Sequence, residues 1–474
     1  MLWLTGALAV ALAARPPAPL ATPPHVTAAR DAVDWSAAGD EAVELLADYL
    51  RVDTINPPGN EDRATAFLAT HLDAAGIPWE QVTHAPGRSS LIARLAGSGE
   101  GGPPLCLMHH TDVASAEPDM WPDDKGPLSG VIADGELWGR GALDMKGMGA
   151  IEVVAMLLLA RHEIALSRDV VLLAVADEEV NNRGAYDLAA MWDEIGCSEM
   201  LNEGGLGVSD ALFDGQSVHA ISSAEKGVLW FRMIASGRAG HGSTPYPGEA
   251  PDRLLEAMEA VAKRVKVRPR IDPSLYDLLH AVGEDKGGLT GTVLKSRLLT
   301  GWLVKPRLKA TPTTMATMVD TVHLTGFSGA QEPNVVPSEV WAQYDCRLRP
   351  DTTPEQHLQR FRDAVKGIEG IRFEVLHEAA SNSSPTDSDF FRAIAHYAVE
   401  GKSDAAVGPL LSVGFTDSLI MRPLGVQAYG YVPFEVPAEV AETMHGHRER
   451  VPVEQVHEGV RRMFSLVVHM AGTP

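Results

Sequence analysis

Apolar residues recur at helical spacing over residues 41–49 and again over 63–75, with the turn sequence Asn56-Pro57-Pro58-Gly59-Asn60 between them. Residues 91–95 and 105–108 read as strands. The second, Leu105-Cys106-Leu107-Met108, is apolar at every position, which suits a strand covered on both faces. The pattern then predicts a helix over 147–160 rich in Ala, Met and Leu, and a strand over 169–176. A helix over 185–195, stopped by Gly196, and a short strand at Met200-Leu201 follow. Strands alternating with helices predict an α/β domain with a mostly parallel sheet flanked by helices.

The pattern changes after about Ala220. Residues 228–236 alternate apolar and polar positions, and a helix is expected over 252–266. Residues 340–347 alternate again, with Val340, Ala342, Tyr344 and Cys346 on one face and Trp341, Gln343, Asp345 and Arg347 on the other. A helix over 354–368 and a strand over 371–376 complete two strand–helix–strand units, the composition of a smaller α+β domain of ferredoxin-like type. Between its halves, residues 269–309 are rich in Gly, Leu, Pro and Lys and read as an irregular insertion. Residues 381–389 read as a linker, and a last helix is expected over 453–470. The resulting division is a leader at 1–33, a catalytic domain built from 34–219 and 381–474, and an inserted domain at 220–380.

A chain of 474 residues is long enough for two cores. Its formal charge of −23 predicts repulsion from phosphate backbones and anionic membranes, so nucleic acid is excluded as a partner. Cys106, Cys197 and Cys346 are far apart and odd in number, which predicts buried free thiols rather than a disulfide framework or a thiolate metal site. Residues 2–14 form a short apolar run that resembles a secretory signal core, although no Lys or Arg precedes it. Export, an uncleaved membrane anchor and a misassigned start all remain open, as does a cytoplasmic location. No other segment reads as a membrane span.

Five would-be metal ligands each follow a predicted buried strand: His110, Asp144, Glu179, Glu203 and His445. Open α/β sheets gather their chemistry at the carboxyl ends of strands. Two imidazoles and three carboxylates suit two zinc ions sharing one bridging carboxylate. Asp112 lies two residues beyond His110 on extended chain, so it points the same way and is placed to orient the imidazole. His109 points the opposite way, and His447 competes with His445. Asp144 has two oxygens with which to bridge. In Asp177-Glu178-Glu179 one carboxylate can bind metal while its neighbour acts as general base. The glycines of 139–147 lack the Gly-Lys-Ser/Thr ending of a nucleotide loop. His241, Asn334 and Arg347 are polar candidates in the inserted domain, and the Arg347 fork matches a carboxylate.

The order and wording of these motifs resemble the dinuclear zinc hydrolases that include aminoacylase, acetylornithine deacetylase, succinyl-diaminopimelate desuccinylase, carboxypeptidase G and carnosinase-like dipeptidases. The resemblance runs from about Asp34 to the end of the chain. Asn56 to Glu61 looks most like the aminoacylase and carboxypeptidase S-type branches. It implies two zinc ions per subunit, with cobalt or manganese as substitutes. His110 and Glu203 would complete one site, Glu179 and His445 the other, and Asp144 would bridge. Asp112 would orient His110, and Glu178 would be the general base. His241 would stabilise the oxyanion, in many relatives from a partner subunit. Asn334 and Arg347 would hold the substrate. The inserted domain would be lid and homodimer interface. The implied reaction is hydrolysis of an amide in an N-acyl amino acid or short peptide with a free carboxylate; an inactive scaffold is the alternative. The sequence departs from the family where Arg448 precedes Glu449, in Val-Asn-Asn-Arg-Gly after Glu179, and in the 269–309 insertion. Spacing to Glu449 favours His445 over His447.

Overall fold

The continuously apolar segments form the middle of one large mixed sheet. A computed structural model describes residues 20–330 and 332–474; the apolar run at 2–14 lies outside them. The strand Leu105–His110 runs parallel to Val170–Val175 on one side and to Glu199–Asn202 on the other. Its alternate residues enter different cores. Leu105 and Leu107 pack with the helices Trp35–Arg51, Lys146–Arg161 and Val453–Ala471, while Cys106 and Met108 pack on the other face with Leu188 and Trp192. Burial on both faces is why these strands carry no polar alternation. Outward from this centre the sheet continues through antiparallel Arg88–Leu95 and Trp79–Ala85 on one side. On the other side lie Gln427–Gly430, Ser217–Glu225, Gly207–Ser209 and Glu435–Pro437. The sheet is thus mixed, with a parallel centre, as the sequence predicts.

The inserted domain is a four-stranded antiparallel sheet in the order Thr321–Phe327, Glu339–Leu348, Gly227–Ser236, Ile371–Ala379. Val340, Ala342, Tyr344 and Cys346 are buried and their neighbours less so, as the alternation requires. They pack against the helices Ala250–Arg264 and Pro354–Ala364.

Several boundaries differ from expectation. Packed structure begins before Asp34: Pro24–Asp31 is a helix with Val26 and Ala29 in the main core, and Arg30 pairs with Glu400. Its single turn pair of apolar residues is too short a pattern to stand out. The strand Ser217–Glu225, which runs past Ala220, still belongs to the large sheet, and the alternating strand Gly227–Ser236 begins the smaller one. The 269–309 segment is helical, with Pro273–Lys286, Gly288–Lys295, Arg297–Leu299 and Lys305–Leu308. Gly287 and Gly288 break it, and apolar residues on its outer side blur the helical period. Leu275, Leu278 and Leu279 pack it onto Val218 and Ala406 of the large sheet.

The free-thiol expectation also fails for two cysteines. Cys106 and Cys197 are disulfide-bonded, and only Cys346 is free and buried. They are 91 residues apart in sequence. Cys197, however, sits just ahead of the strand that pairs with the Cys106 strand, and spacing along the chain cannot show that. Replacing both by Ala is expected to lower stability by about 2–4 kcal/mol, since a long loop is released in the unfolded chain. Urea unfolding of oxidised, reduced and double-variant protein measures this; equal midpoints would contradict it.

Candidate metal centre

The carboxyl edge of the central strands holds a cluster of acidic and imidazole groups. His110 ends the strand Leu105–His110 and is buried. Its Nδ1–H donates to the Asp112 carbonyl oxygen at 2.8 Å. A carbonyl can only accept, so Nδ1 carries a proton, and Nε2 is the atom turned to the cluster, where it would serve as the ligand once an ion replaces its proton. The Asp112 carboxylate is 3.8 Å from that ring, too far for the contact expected. Instead it accepts from the backbone N–H of Glu178 at 3.1 Å, that of Glu179 at 3.2 Å and the Asn56 amide at 2.7 Å. Asp112 thus orients His110 through its backbone and the glutamate turn through its side chain.

The glutamate turn is held from below as well. Asp177 has a left-handed backbone (φ 67°) and its carboxylate is paired with Arg88, which also meets Glu61. His445 is left-handed too (φ 58°). Such conformations in non-glycine residues cost free energy and persist where packing enforces them. Here both occur beside the cluster.

Asp144 sits between the two imidazoles. One of its oxygens is 3.0 Å from His110 Nε2 and the other 3.0 Å from His445 Nε2. His445 Nε2 is also 3.2 Å from Glu179, and His110 Nε2 is 3.8 Å from Glu203. Ligand atoms of His110, Asp144 and Glu179 lie within 4.8 Å of one another, as do those of His110, Glu178 and Glu203. All five sequence candidates therefore converge. The rivals do not: His109 is buried against Glu152 at 2.7 Å, and His447 meets Glu117 at 2.7 Å.

The electrostatics suit cations. Burial, then repulsion from Asp144, pushes the Glu203 carboxyl up to about 8. Burial and Glu203 likewise push Glu178 well above the usual carboxylate range. Hydrogen bonds to Asp144 and Glu179 raise His445 to about 10. Buried carboxylates that destabilise one another beside two imidazoles form a donor set that divalent ions would satisfy.

A cavity of about 560 Å³ opens over the cluster. Asp144, Glu178, Glu179, Glu203 and His445 lie on its wall with Leu143, Val180, Leu206, Trp230, Phe415, Val432 and Met444. Arg347 also lines it, its guanidinium 5.7 Å from the Trp230 ring centre and 5.4 Å from that of Phe415, and bidentate to Asp345. His241 and Asn334 do not line it. They share a short ribbon of the inserted domain, where Gly242 N–H donates to the Asn334 carbonyl at 2.8 Å and His241 is exposed.

Sequence reading missed Asp417, buried with Asn182 donating to it at 2.9 Å; burial raises its carboxyl to about 7. It also missed the buried Glu225–Arg422 pair, which holds Thr416 in the cavity wall. These groups come from separate segments, and no spacing signals them.

Residues 106–469 match the model of peptidase family M20/M25/M40. The chain belongs to this family. It is a hydrolase of a metal-dependent family, and its fold is shared with solved members. The M20-family metallo-carboxypeptidase from Sulfolobus solfataricus superposes with a TM-score of 0.66 at 18% identity, covering 90% of this chain and 98% of that one. Human carnosine dipeptidase 1 gives 0.60 at 18%, with 95% and 99% covered. In sequence the M20 chain is 25% identical over 442 residues to aminoacylase-1 of Sus scrofa, covering 91% of this chain and 96% of that protein. It is 24% identical over 392 residues to the human N-fatty-acyl-amino acid synthase/hydrolase, covering 80% and 76%.

Proposed function

We propose that this M20 hydrolase cleaves the amide of N-acyl amino acids whose acyl group is apolar. The observation that carries the reading is one arrangement. The two Asp144 oxygens face His110 and His445 at 3.0 Å each, inside a cavity that also holds Glu178, Arg347 and a largely apolar wall. His110 and Glu203 would hold one divalent ion, Glu179 and His445 a second, with Asp144 between them; zinc suits this nitrogen and oxygen set, and cobalt or manganese could replace it. Ions held there would polarise the scissile carbonyl and acidify the attacking water.

The chain's own groups do the rest. Glu178 takes the proton of the water whose oxygen bonds to the carbonyl carbon, and returns it to the nitrogen as the C–N bond breaks. Arg347 pairs with the substrate carboxylate, and Leu206, Phe415 and Met444 receive the acyl chain. His241 does not line the cavity and would reach the carbonyl oxygen from a second subunit, with Asn334 beside it, so a homodimer belongs to this reading.

Turnover of a panel of N-acyl amino acids and dipeptides, followed by mass spectrometry, tests it. Cleavage of long-chain N-acyl amino acids is expected to stop on chelation and return with zinc. Preference for dipeptides would overturn the acyl assignment, and turnover untouched by chelation would overturn the metal reading.

Arg347→Ala is expected to raise KM for substrates with a free carboxylate about 10–100-fold, the worth of one charge-assisted pair. Substrates with a blocked carboxyl should be little affected. An equal loss on both would remove Arg347 from carboxylate binding.

A further inference from the structure

The helical insertion carries apolar side chains that the fold does not use. Leu294, Leu308 and the partly buried Val304 face the core formed with Leu275 and Val282. On the other side Leu289 is 88% exposed, Leu298 82%, Trp302 75% and Leu303 46%. Leu298 and Trp302 are four residues apart on one helical run, so they share a face. Isolated exposed leucines are ordinary, but Leu298 and Trp302 on one face, with Leu289 and Leu303 exposed in the same short segment, are more exposed apolar surface than packing explains.

Charge says what it meets. Between Lys286 and Lys309 lie Lys286, Lys295, Arg297, Lys305, Arg307 and Lys309, with no Asp or Glu among them. The chain as a whole carries −23. Arg297 also meets Asp277 at 3.5 Å, and Lys286 lies over Phe213; Lys295, Lys305, Arg307 and Lys309 have no carboxylate within 4.0 Å among the described residues. Glu284 and Asp285 immediately precede the segment and Asp277 pairs with Arg297, but at physiological salt fields decay over about 8 Å, so a surface touching residues 286–309 meets chiefly their six cations. The repulsion from anionic membranes expected of the whole chain is therefore reversed here. A leucine and tryptophan patch fringed by Lys and Arg is the make-up of a segment that lies in a membrane interface. A phosphate backbone would reward the cations but not the exposed leucines. No helix of the described residues is long and apolar enough to cross a membrane, so contact would be along the surface.

We propose that residues 286–309 dock the enzyme on an anionic lipid bilayer, with Leu298 and Trp302 entering the interface and Lys305 and Arg307 meeting lipid phosphates. The proposal does not rest on the substrate assigned above.

The test is co-sedimentation of the full chain with vesicles of phosphatidylcholine alone and of phosphatidylcholine mixed with phosphatidylglycerol. Wild type is expected to bind the mixed vesicles more tightly and to lose that preference at high salt. Leu298→Ser/Trp302→Ser should weaken partitioning by about tenfold or more. Lys305→Glu/Arg307→Glu should abolish the preference for anionic lipid. Every chain compared carries the same apolar amino-terminal run, so differences report the insertion. If the serine variant does not fold, the charge variant decides. Wild-type failure to bind either vesicle, or variants that bind as wild type does, would overturn the proposal. So would an oligomer that the serine variant dissociates without any vesicle binding, because the face would then join copies of this chain.

Discussion

Glu178→Ala is expected to keep its full complement of metal and to lose about 10²–10⁴-fold in kcat, the usual worth of a positioned general base. The expectation follows from where Glu178 stands. Asp112 holds its backbone N–H at 3.1 Å, and the same carboxylate holds Glu179, so the two side chains leave one rigid turn in different directions. Glu179 meets His445, while Glu178 is left beside Glu203 and Asp417 within the cavity. A competing role exists, because Glu178 is close enough to His110 and Glu203 to serve as a ligand. Metal analysis by mass spectrometry together with kcat separates the two. Loss of both metal and activity would make Glu178 a ligand, and near-normal turnover with metal bound would leave it without a catalytic part. Glu178→Gln keeps the shape but cannot accept the proton, and should behave as the alanine variant does.

What the sequence reveals of this protein follows from how each feature is written along the chain. The central strands are legible because burial on both faces leaves unbroken apolar runs, as at Leu105–His110 and Val170–Val175. Three metal candidates are legible because strand ends place them: His110 ends its strand, and Glu179 and Glu203 follow theirs. Asp144 instead precedes the helix Lys146–Arg161 and His445 follows the short helix Ala438–Ala441, against the expectation that each follows a buried strand, yet all five meet. Features made by contact between distant segments leave no such trace. The Cys106–Cys197 bond depends on which strands are neighbours, and the Asp417–Asn182 contact joins residues 235 positions apart. The insertion misleads for a different reason: its apolar residues serve two surfaces, so no single helical face stands out. His241 stands out in its turn sequence, but the fold leaves it exposed on a short ribbon that does not line the cavity, a placement that no local pattern signals.

Glu449→Ala is expected to cost about 3–5 kcal/mol of stability and to lower metal affinity, although Glu449 is no ligand. Its carboxylate is fully buried. One oxygen accepts from Arg140 at 2.7 Å, and the other accepts the backbone N–H groups of Gly141 at 3.1 Å, Leu143 at 2.9 Å and Asp144 at 3.1 Å. Arg140, itself buried, donates in turn to the His445 carbonyl at 2.9 Å. One ion pair thus fixes the backbone of both residues that flank the centre. Alanine would strand a guanidinium and three N–H groups away from water, and a buried partnerless charge is far more costly than the intact pair is stabilising. The Asp144 loop would relax, and with it the spacing between His110 and His445. Urea unfolding and zinc titration of the variant measure the two effects separately. Lower stability with unchanged zinc affinity would limit Glu449 to packing. Glu449→Gln, which keeps an oxygen for the N–H groups but turns its amide toward Arg140, is expected to fall between the two. A glutamine variant that binds zinc as the wild type does would show that the backbone hydrogen bonds, rather than the charge, hold Asp144 in place.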